Sequence, residues 1–93
     1  MSHDVSLQQL AGTMARYGSA YLLTVTDEGR AHAVAVKPTV VGGALLIGEL
    51  GRRSRANAVA RPALSLVWPP TEPGDYSLIV DGDASPSGNG VTV

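Results

Sequence analysis

The chain has 93 residues, which is the length of one small domain with one hydrophobic core. Its formal net charge of -1 excludes the large positive field by which general nucleic-acid binders and membrane-surface binders act. The chain has no cysteine, which excludes disulfides, thiolate metal sites and thiol catalysis.

The N-terminal residues predict neither export nor membrane anchoring. Met1 to Asp4 lack the basic stretch and the apolar run of a secretory signal. No window of the sequence approaches the roughly 18 apolar residues that a membrane-spanning helix needs. We therefore expect a cytoplasmic protein without a membrane partner.

The first half of the chain predicts one helix and a pair of antiparallel strands. Apolar residues recur at helical spacing over residues 5–17, and Gly18 follows as a terminator. Tyr21 to Thr26 is rich in strand-forming residues. Asp27-Glu28-Gly29 then predicts a hairpin loop into a second strand over residues 30–41.

The second half predicts further short strands around one more helix. Gly42-Gly43 marks a turn into a third strand over residues 44–48. Residues 52–61 are rich in Ala and Arg and precede Pro62, which predicts a short helix. Loops rich in Pro and Gly separate three later strands, of which the last is short: Ala63 to Trp68, Tyr76 to Ala84 and Val91 to Val93.

Five or six short antiparallel strands with two helices predict a mainly β fold, a small antiparallel barrel. A sandwich also satisfies the pattern. Several strands have few polar residues on either face, which favours the barrel because a one-sided open sheet would leave apolar residues in water. Residues 1–93 are expected to form a single domain, and ladder groups left unpaired near Val93 predict a homodimer that covers them.

A cluster of basic residues, Arg52-Arg53-Ser54-Arg55, lies at the predicted start of the second helix. A helix N-terminus carries about half a positive charge, so three arginines there oppose the helix dipole and one another. A bound anion would remove the conflict, held by free backbone N–H groups, guanidinium groups and the Ser54 hydroxyl, with Gly51 allowing close approach. The alternative is that the arginines are solvated or paired with Glu49, Asp75 or Asp81.

The second strand alternates in an unusual way. One face, the alanine face, consists of Ala31, Ala33 and Ala35. The other face is mixed and consists of His32, Val34 and Val36. The alanine face would admit a flat group lying against it, or plain packing against a neighbouring strand or subunit. His32 is expected to be structural, and with His3 as the other histidine no metal site is predicted.

Three segments, in the same order and spacing, resemble the pyridoxamine 5'-phosphate oxidase-like family of FMN-binding split barrels: His32 to Lys37, Gly51 to Ser54, and Asn57 to Pro69. The resemblance covers residues 5–93. In that family a strand ending in Lys contacts the flavin, and a turn of the type Gly-Ser-Arg-Lys that opens a helix binds its phosphate. The resemblance implies a flavoprotein, an FMN- or deazaflavin-dependent oxidoreductase with its cofactor at a homodimer interface.

The resemblance also implies the site residues. The family's phosphate arginine falls on Arg53, its lysine on Ser54, and its usual threonine after the third strand on Gly48, so two positions depart from the pattern. Arg52 or Arg55 could supply the missing charge, or the site is weakened or suited to a deazaflavin. The implied cofactor-binding residues are His32, Val34, Val36, Lys37, Gly48, Arg52, Arg53, Ser54 and Arg55. No catalytic residue is assigned, because the flavin carries the redox chemistry.

The end of the chain keeps an alternative function open. Members of that family commonly continue beyond the position of Val93, so this chain resembles a C-terminally short member. Either the partner subunit completes the barrel, or the chain is a non-catalytic cofactor-binding or interaction module without turnover. A small RNA-binding barrel would need exposed aromatic residues that stack bases, and the aromatic residues here are few and scattered. No nucleic-acid partner is expected, and the sequence does not identify the substrate.

Overall fold

The computed structural model describes residues 7–72, 74 and 76–93. Within these residues the helices are α1 (Leu7–Met14) and α2 (Arg52–Ala60). The strands are β1 (Ala20–Val25), β2 (Ala31–Val36), β3 (Thr39–Val41), β4 (Ala44–Ile47), β5 (Ala63–Trp68), β6 (Leu78–Asp83), β7 (Ser85–Ser87) and β8 (Gly90–Thr92).

The strands form two antiparallel sheets of four strands each. The first sheet has the order β2-β1-β5-β6, and the second has the order β3-β4-β8-β7. Each edge strand of the first sheet continues along the chain into an edge strand of the second, through Lys37-Pro38 on one side and Ala84 on the other. The prediction of a mainly β fold with antiparallel strands, an N-terminal helix and a short second helix is therefore confirmed.

One hydrophobic core joins the two sheets and both helices. Along β1 buried and more exposed residues alternate, as expected for a strand with one face inward. The largest fully buried side chain is Trp68, which is 2% exposed. The other members of the cluster come from both sheets and both helices: Leu10, Ala20, Leu22, Leu45, Ile47, Leu50, Ala58, Leu64, Leu66, Leu78 and Val91.

Polar contacts fix α2 along β1. The Asn57 Nδ2 donates a hydrogen bond to the buried Thr24 Oγ1 at 3.2 Å. At the C-terminal end of α2, Arg61 Nε donates to the Val25 carbonyl at 2.7 Å, and Arg61 Nη2 lies 2.8 Å from Asp27 Oδ1. Because the last turn of α2 lies at the β1–β2 hairpin, its first turn lies toward the opposite end of these strands, where β2 ends.

The predicted second strand over residues 30–41 is two strands. It is interrupted at Lys37-Pro38, where β2 of the first sheet gives way to β3 of the second. Proline lacks a backbone N–H and restricts the residue before it, so it cannot continue the interior of a ladder. The prediction of one continuous strand was wrong for this reason.

Two other boundaries differ from the sequence prediction. Residues 85–90 were predicted to be a turn, whereas Ser85–Ser87 forms β7 and pairs with β8. Pro86 is tolerated there because β7 is an edge strand. The first helix ends at Met14, and residues 15–17 follow in a tighter turn in which Tyr17 N donates to the Met14 carbonyl at 3.0 Å. The predicted start at residue 5 lies outside the described residues.

The backbone at the end of the chain is paired. Val93 N donates to the Leu45 carbonyl at 2.8 Å, and Leu45 N donates to the Val93 carbonyl at 3.0 Å. The prediction that ladder groups near Val93 lack partners was therefore wrong. A homodimer stays a prediction, and its subunits would have to contact each other through a different surface.

Candidate functional site

A cavity of about 330 Å³ lies where the end of β2 meets the loop that precedes α2. Its lining includes four residues predicted from the sequence: Val34, Val36, Lys37 and Gly48. Its other lining residues are Ser19, Ala35, Glu49, Leu50 and Gly51. The fold therefore brings the end of the alternating strand next to the start of the arginine-bearing helix, although they are separated by the whole of β3 and β4.

The loop between β4 and α2 turns sharply beside this cavity. Glu49 has a φ of 56°, the left-handed region that residues with a side chain seldom adopt. Backbone strain of this kind occurs often at binding sites, where the surrounding structure maintains it. Gly51 follows as the N-cap of α2 with φ -65° and ψ 164°.

The N-terminus of α2 has no side-chain cap. Gly51 provides no capping hydrogen bond, and the first turn contains no acidic residue. The cap residue therefore provides no side chain that accepts hydrogen bonds from the free backbone N–H groups. No acidic residue of the first turn neutralises the positive end of the helix dipole. Such a terminus favours the binding of an anion.

The arginines of the cluster differ in exposure. Arg52 and Arg53 are exposed, Arg55 is half-buried, and Ser54 is only 3% exposed. Ser54 lies on the same buried face of α2 as Asn57, which faces β1. Of the four residues, Arg52 and Arg53 are therefore the two whose side chains are most accessible to a ligand from solvent.

The acids that were considered as partners do not neutralise the cluster within the described part of the chain. The ion pair found there joins Arg61 to Asp27. Asp81 accepts a hydrogen bond from the Ser65 hydroxyl instead, and Asp75 lies outside the described residues. Glu49 makes no ion pair with a described residue. The Nε of Arg55 is buried without a hydrogen-bond partner among the described residues.

His32 lies away from the cavity, toward the hairpin end of β2. It is half-buried and stands opposite Thr24 of β1. Its Nδ1 is buried, with no hydrogen-bond partner in the part of the chain that is described.

Across the described residues, no three His, Asp or Glu side chains come together as a possible metal site. Neither described helix combines the length and apolarity needed to cross a membrane.

The outer face of the first sheet is apolar along β2 and β1, while β6 contributes the exposed Asp81 and Asp83 to its far edge. Three residues of β1 stand opposite the alanine face of β2, in the pairs Tyr21 with Ala35, Leu23 with Ala33, and Val25 with Ala31. On this face Tyr21 is 45% exposed, Val25 36%, and Ile79 of β6 44%. The three alanines are exposed as well. We call this surface the outer apolar face.

Sequence reasoning missed Ser19 and Glu49 as lining residues of the cavity. A signal for Ser19 was available, because the short hairpin loop fixes the register of β1 and β2, which pairs Ala20 with Val36. Extended by one residue, that register places Ser19 opposite Lys37. No comparable local signal exists for Glu49, whose place depends on how β4 joins the second sheet.

Relatives of the chain are known. No family model matches it. It is 40% identical over 95 residues to the uncharacterized protein Mb0449c of Mycobacterium bovis, and this alignment covers 92% of the chain and 67% of the relative. The uncharacterized protein MT0457 of Mycobacterium tuberculosis matches with the same identity and coverage. The chain belongs to the family of these two proteins. The Mb0449c family therefore includes this β-rich domain with two sheets.

A solved structure shares the fold. The structure of a heme-binding protein from Mycobacterium smegmatis superimposes with a TM-score of 0.63 at 23% sequence identity. The match covers 96% of this chain and 40% of that one, so the chain spans less than half of the solved protein. At this identity the likeness shows a common fold. The resemblance to the flavin-binding split barrels stays a prediction for this member of the Mb0449c family.

Proposed function

We propose that the protein binds a phosphate-bearing flavin-type cofactor, FMN or a deazaflavin, with the phosphate at the N-terminus of α2. One observation carries the proposal: three arginines begin an uncapped helix beside a cavity and form no ion pair with a described residue. Their mutual repulsion is relieved when an anion lies between them and the backbone N–H groups.

Different groups of the chain would hold different parts of the cofactor. The accessible guanidinium groups of Arg52 and Arg53 bind the phosphate, and Arg55 adds positive charge nearby. Because Ser54 is buried, its contribution is its backbone N–H rather than its hydroxyl. Lys37, at the cavity, binds the ring or the phosphate.

The ring would lie along β2. Among the described strands, β2 pairs with β1 alone, at the edge of its sheet, so one side of its backbone would donate to and accept from the edge of a flavin ring. Val34 and Val36 line the cavity from this strand, while His32 lies further along it. Ala35, which also lines this cavity, has a small side chain that leaves room for a flat group.

The proposed activity is that of an oxidoreductase. A bound flavin supplies the redox chemistry, and the residues of this chain bind it, orient it and set its electrostatic surroundings. The non-catalytic alternative, a cofactor-binding or interaction module, is favoured by Gly48 in place of a threonine and by the burial of Ser54. A heme is a second candidate cofactor, favoured by the fold shared with a heme-binding protein.

The deciding experiment is native mass spectrometry of the purified full chain, followed by titration with FMN, a deazaflavin and hemin. We expect a bound mass or micromolar affinity for FMN or the deazaflavin. Affinity for hemin alone would replace the flavin by a heme. A protein that binds none of the three would overturn the cofactor proposal, and one that binds flavin without turnover would favour the non-catalytic module.

The proposed homodimer would pack through the outer apolar face. Exposed apolar patches of this kind mark interaction surfaces more often than isolated exposed residues do. The face contains Tyr21 at the start of β1 and Ile79 on the strand at its far side, with no charged residue between them along that row. A two-fold partner would present the same apolar row in return.

Placing a charge in this row is expected to separate the subunits. In Tyr21→Lys the ammonium would be buried without a partner at the interface, so light scattering should report a monomer where the unmodified protein gives a dimer. Val41→Lys, at a 56% exposed valine of β3 in the other sheet, is the matched control and should leave the dimer intact. A monomer in the unmodified protein at micromolar concentration would exclude the dimer.

A further inference from the structure

A second cavity, of about 490 Å³, lies between the end of α1 and the end of β5. It shares Ser19 and Lys37 with the cavity described above. Its remaining wall includes Met14, Tyr17 and Trp68. The two cavities therefore adjoin next to the backbone corner at Lys37-Pro38, and Lys37 lines both of them.

The lining of this second cavity has a definite chemical character. Its described lining residues include two aromatic residues, Tyr17 and Trp68, together with Met14 and Pro38, and none of those described is acidic. Lys37 is the one cationic residue among the described lining residues, and it forms no ion pair with a described residue. An ammonium group together with apolar and aromatic lining residues is complementary to a carboxylate attached to an apolar body.

The wall formed by the end of α1 is fixed in place. The Tyr17 hydroxyl donates a hydrogen bond to the Tyr76 carbonyl at 3.0 Å, across 59 residues of chain. Tyr17 also packs against the main hydrophobic core, as does Met14. The cavity is therefore bounded by residues that have tertiary contacts of their own, and a ligand need not order them.

We propose that this second cavity binds a small organic carboxylate with an aromatic or aliphatic body. The carboxylate lies on the Lys37 ammonium, and the body lies against the wall that contains Trp68. Because the two cavities adjoin at Lys37, a molecule bound here lies beside whatever occupies the first cavity. If the proposed function holds, that neighbour is the cofactor, and small carboxylates are then the substrate class.

The chain offers a direct reporter of this site, because Trp68 is its one tryptophan. A bromine atom quenches tryptophan fluorescence on close approach, so 4-bromobenzoate is a suitable probe and neutral 4-bromobenzamide is its control. We expect saturable quenching by the acid, with an affinity at least about 10-fold higher than for the amide, as a charge-assisted hydrogen bond to Lys37 requires. Equal affinities, or no saturable quenching, would overturn the proposal.

Two glycine variants locate the binding. Gly18 lines the second cavity, and Gly48 lines the first. Neither glycine has a left-handed φ, and a Cβ added at either position would meet no atom within 4 Å. Gly18→Leu should therefore fold and fill the second cavity, which lowers 4-bromobenzoate affinity at least about 10-fold. Gly48→Leu should leave that affinity within about 2-fold.

The same pair of variants separates this inference from the proposed function. FMN affinity of the same proteins should fall in Gly48→Leu and persist in Gly18→Leu. If the unmodified chain binds no cofactor but 4-bromobenzoate still follows the expected pattern, the carboxylate site stands and the flavin proposal fails. Unchanged 4-bromobenzoate quenching in Gly18→Leu, with its circular dichroism equal to that of the unmodified chain, would place the probe elsewhere and refute the site.

Discussion

Arg53→Glu is expected to lose FMN or deazaflavin affinity by about 100-fold, because it removes a charge-assisted hydrogen bond and sets a carboxylate against the phosphate. A hydrogen bond to a charged group contributes roughly 1.5–3 kcal/mol, and repulsion adds to that loss. Arg53 is exposed, so the free energy of unfolding should change by no more than about 0.5 kcal/mol. Isothermal titration with the cofactor and urea unfolding measure the two quantities.

Arg30→Glu is the matched control for this charge reversal. Arg30 is also exposed, but it precedes β2 at the hairpin end, away from the cavity at Lys37. The variant carries the same change in net charge, so any general electrostatic effect on an anionic ligand appears in both proteins. Equal loss of affinity in the two variants, or retained affinity in Arg53→Glu, would move the phosphate site away from α2.

Gly90→Ala is expected to destabilise the fold by more than about 3 kcal/mol, beyond the usual cost of overpacking a core. An ideal Cβ at this position would lie 1.8 Å from the Ile47 carbonyl oxygen and 2.8 Å from the Gly48 Cα. Both obstacles are backbone atoms, one at the end of β4, with which β8 pairs, and one in the residue that follows it, so no side-chain rotation relieves the contact. Urea unfolding followed by Trp68 fluorescence would measure the loss.

Gly12→Ala is the corresponding control for glycine replacement. Gly12 lies within α1, and a Cβ there would meet nothing within 4 Å. Alanine in a helix interior is more favourable than glycine by roughly 0.5–1 kcal/mol, so this variant should be slightly more stable than the unmodified chain. A Gly90→Ala protein within about 1 kcal/mol of the unmodified one would mean that β8 does not approach β4 so closely.

Much of the fold could be predicted from local pattern. The strand-forming run at Tyr21 and the turn at Gly42-Gly43 correspond to β1 and to the β3–β4 hairpin. The break at Lys37-Pro38 was missed because alternation continues on both sides of it, and alternation alone does not tell which sheet a strand joins. The short strand β7 was missed because it consists of Pro and Ser, neither of which is enriched in strands. Its pairing with β8 stabilises the strand instead.

The site was predicted in part. The start of α2 at Arg52 follows from composition and from Gly51, and the structure has the same boundary. The inward direction of Ser54 could not be predicted, because it depends on which face of α2 packs on β1, and the Asn57–Thr24 hydrogen bond reveals that only in three dimensions. The cavity at Lys37 likewise depends on contacts between residues far apart in sequence.

The corner at Lys37-Pro38 has a consequence for ligand affinity. Proline fixes its own φ near −65° and confines the preceding residue to extended conformations. The main chain that carries the Lys37 ammonium is thus rigid before any anion arrives, and association would restrict only the rotamers of one side chain, at a cost of roughly 0.5–1.5 kcal/mol. Replacement of Pro38 by a freely rotating residue would raise this entropic cost in addition to changing one residue of the cavity wall.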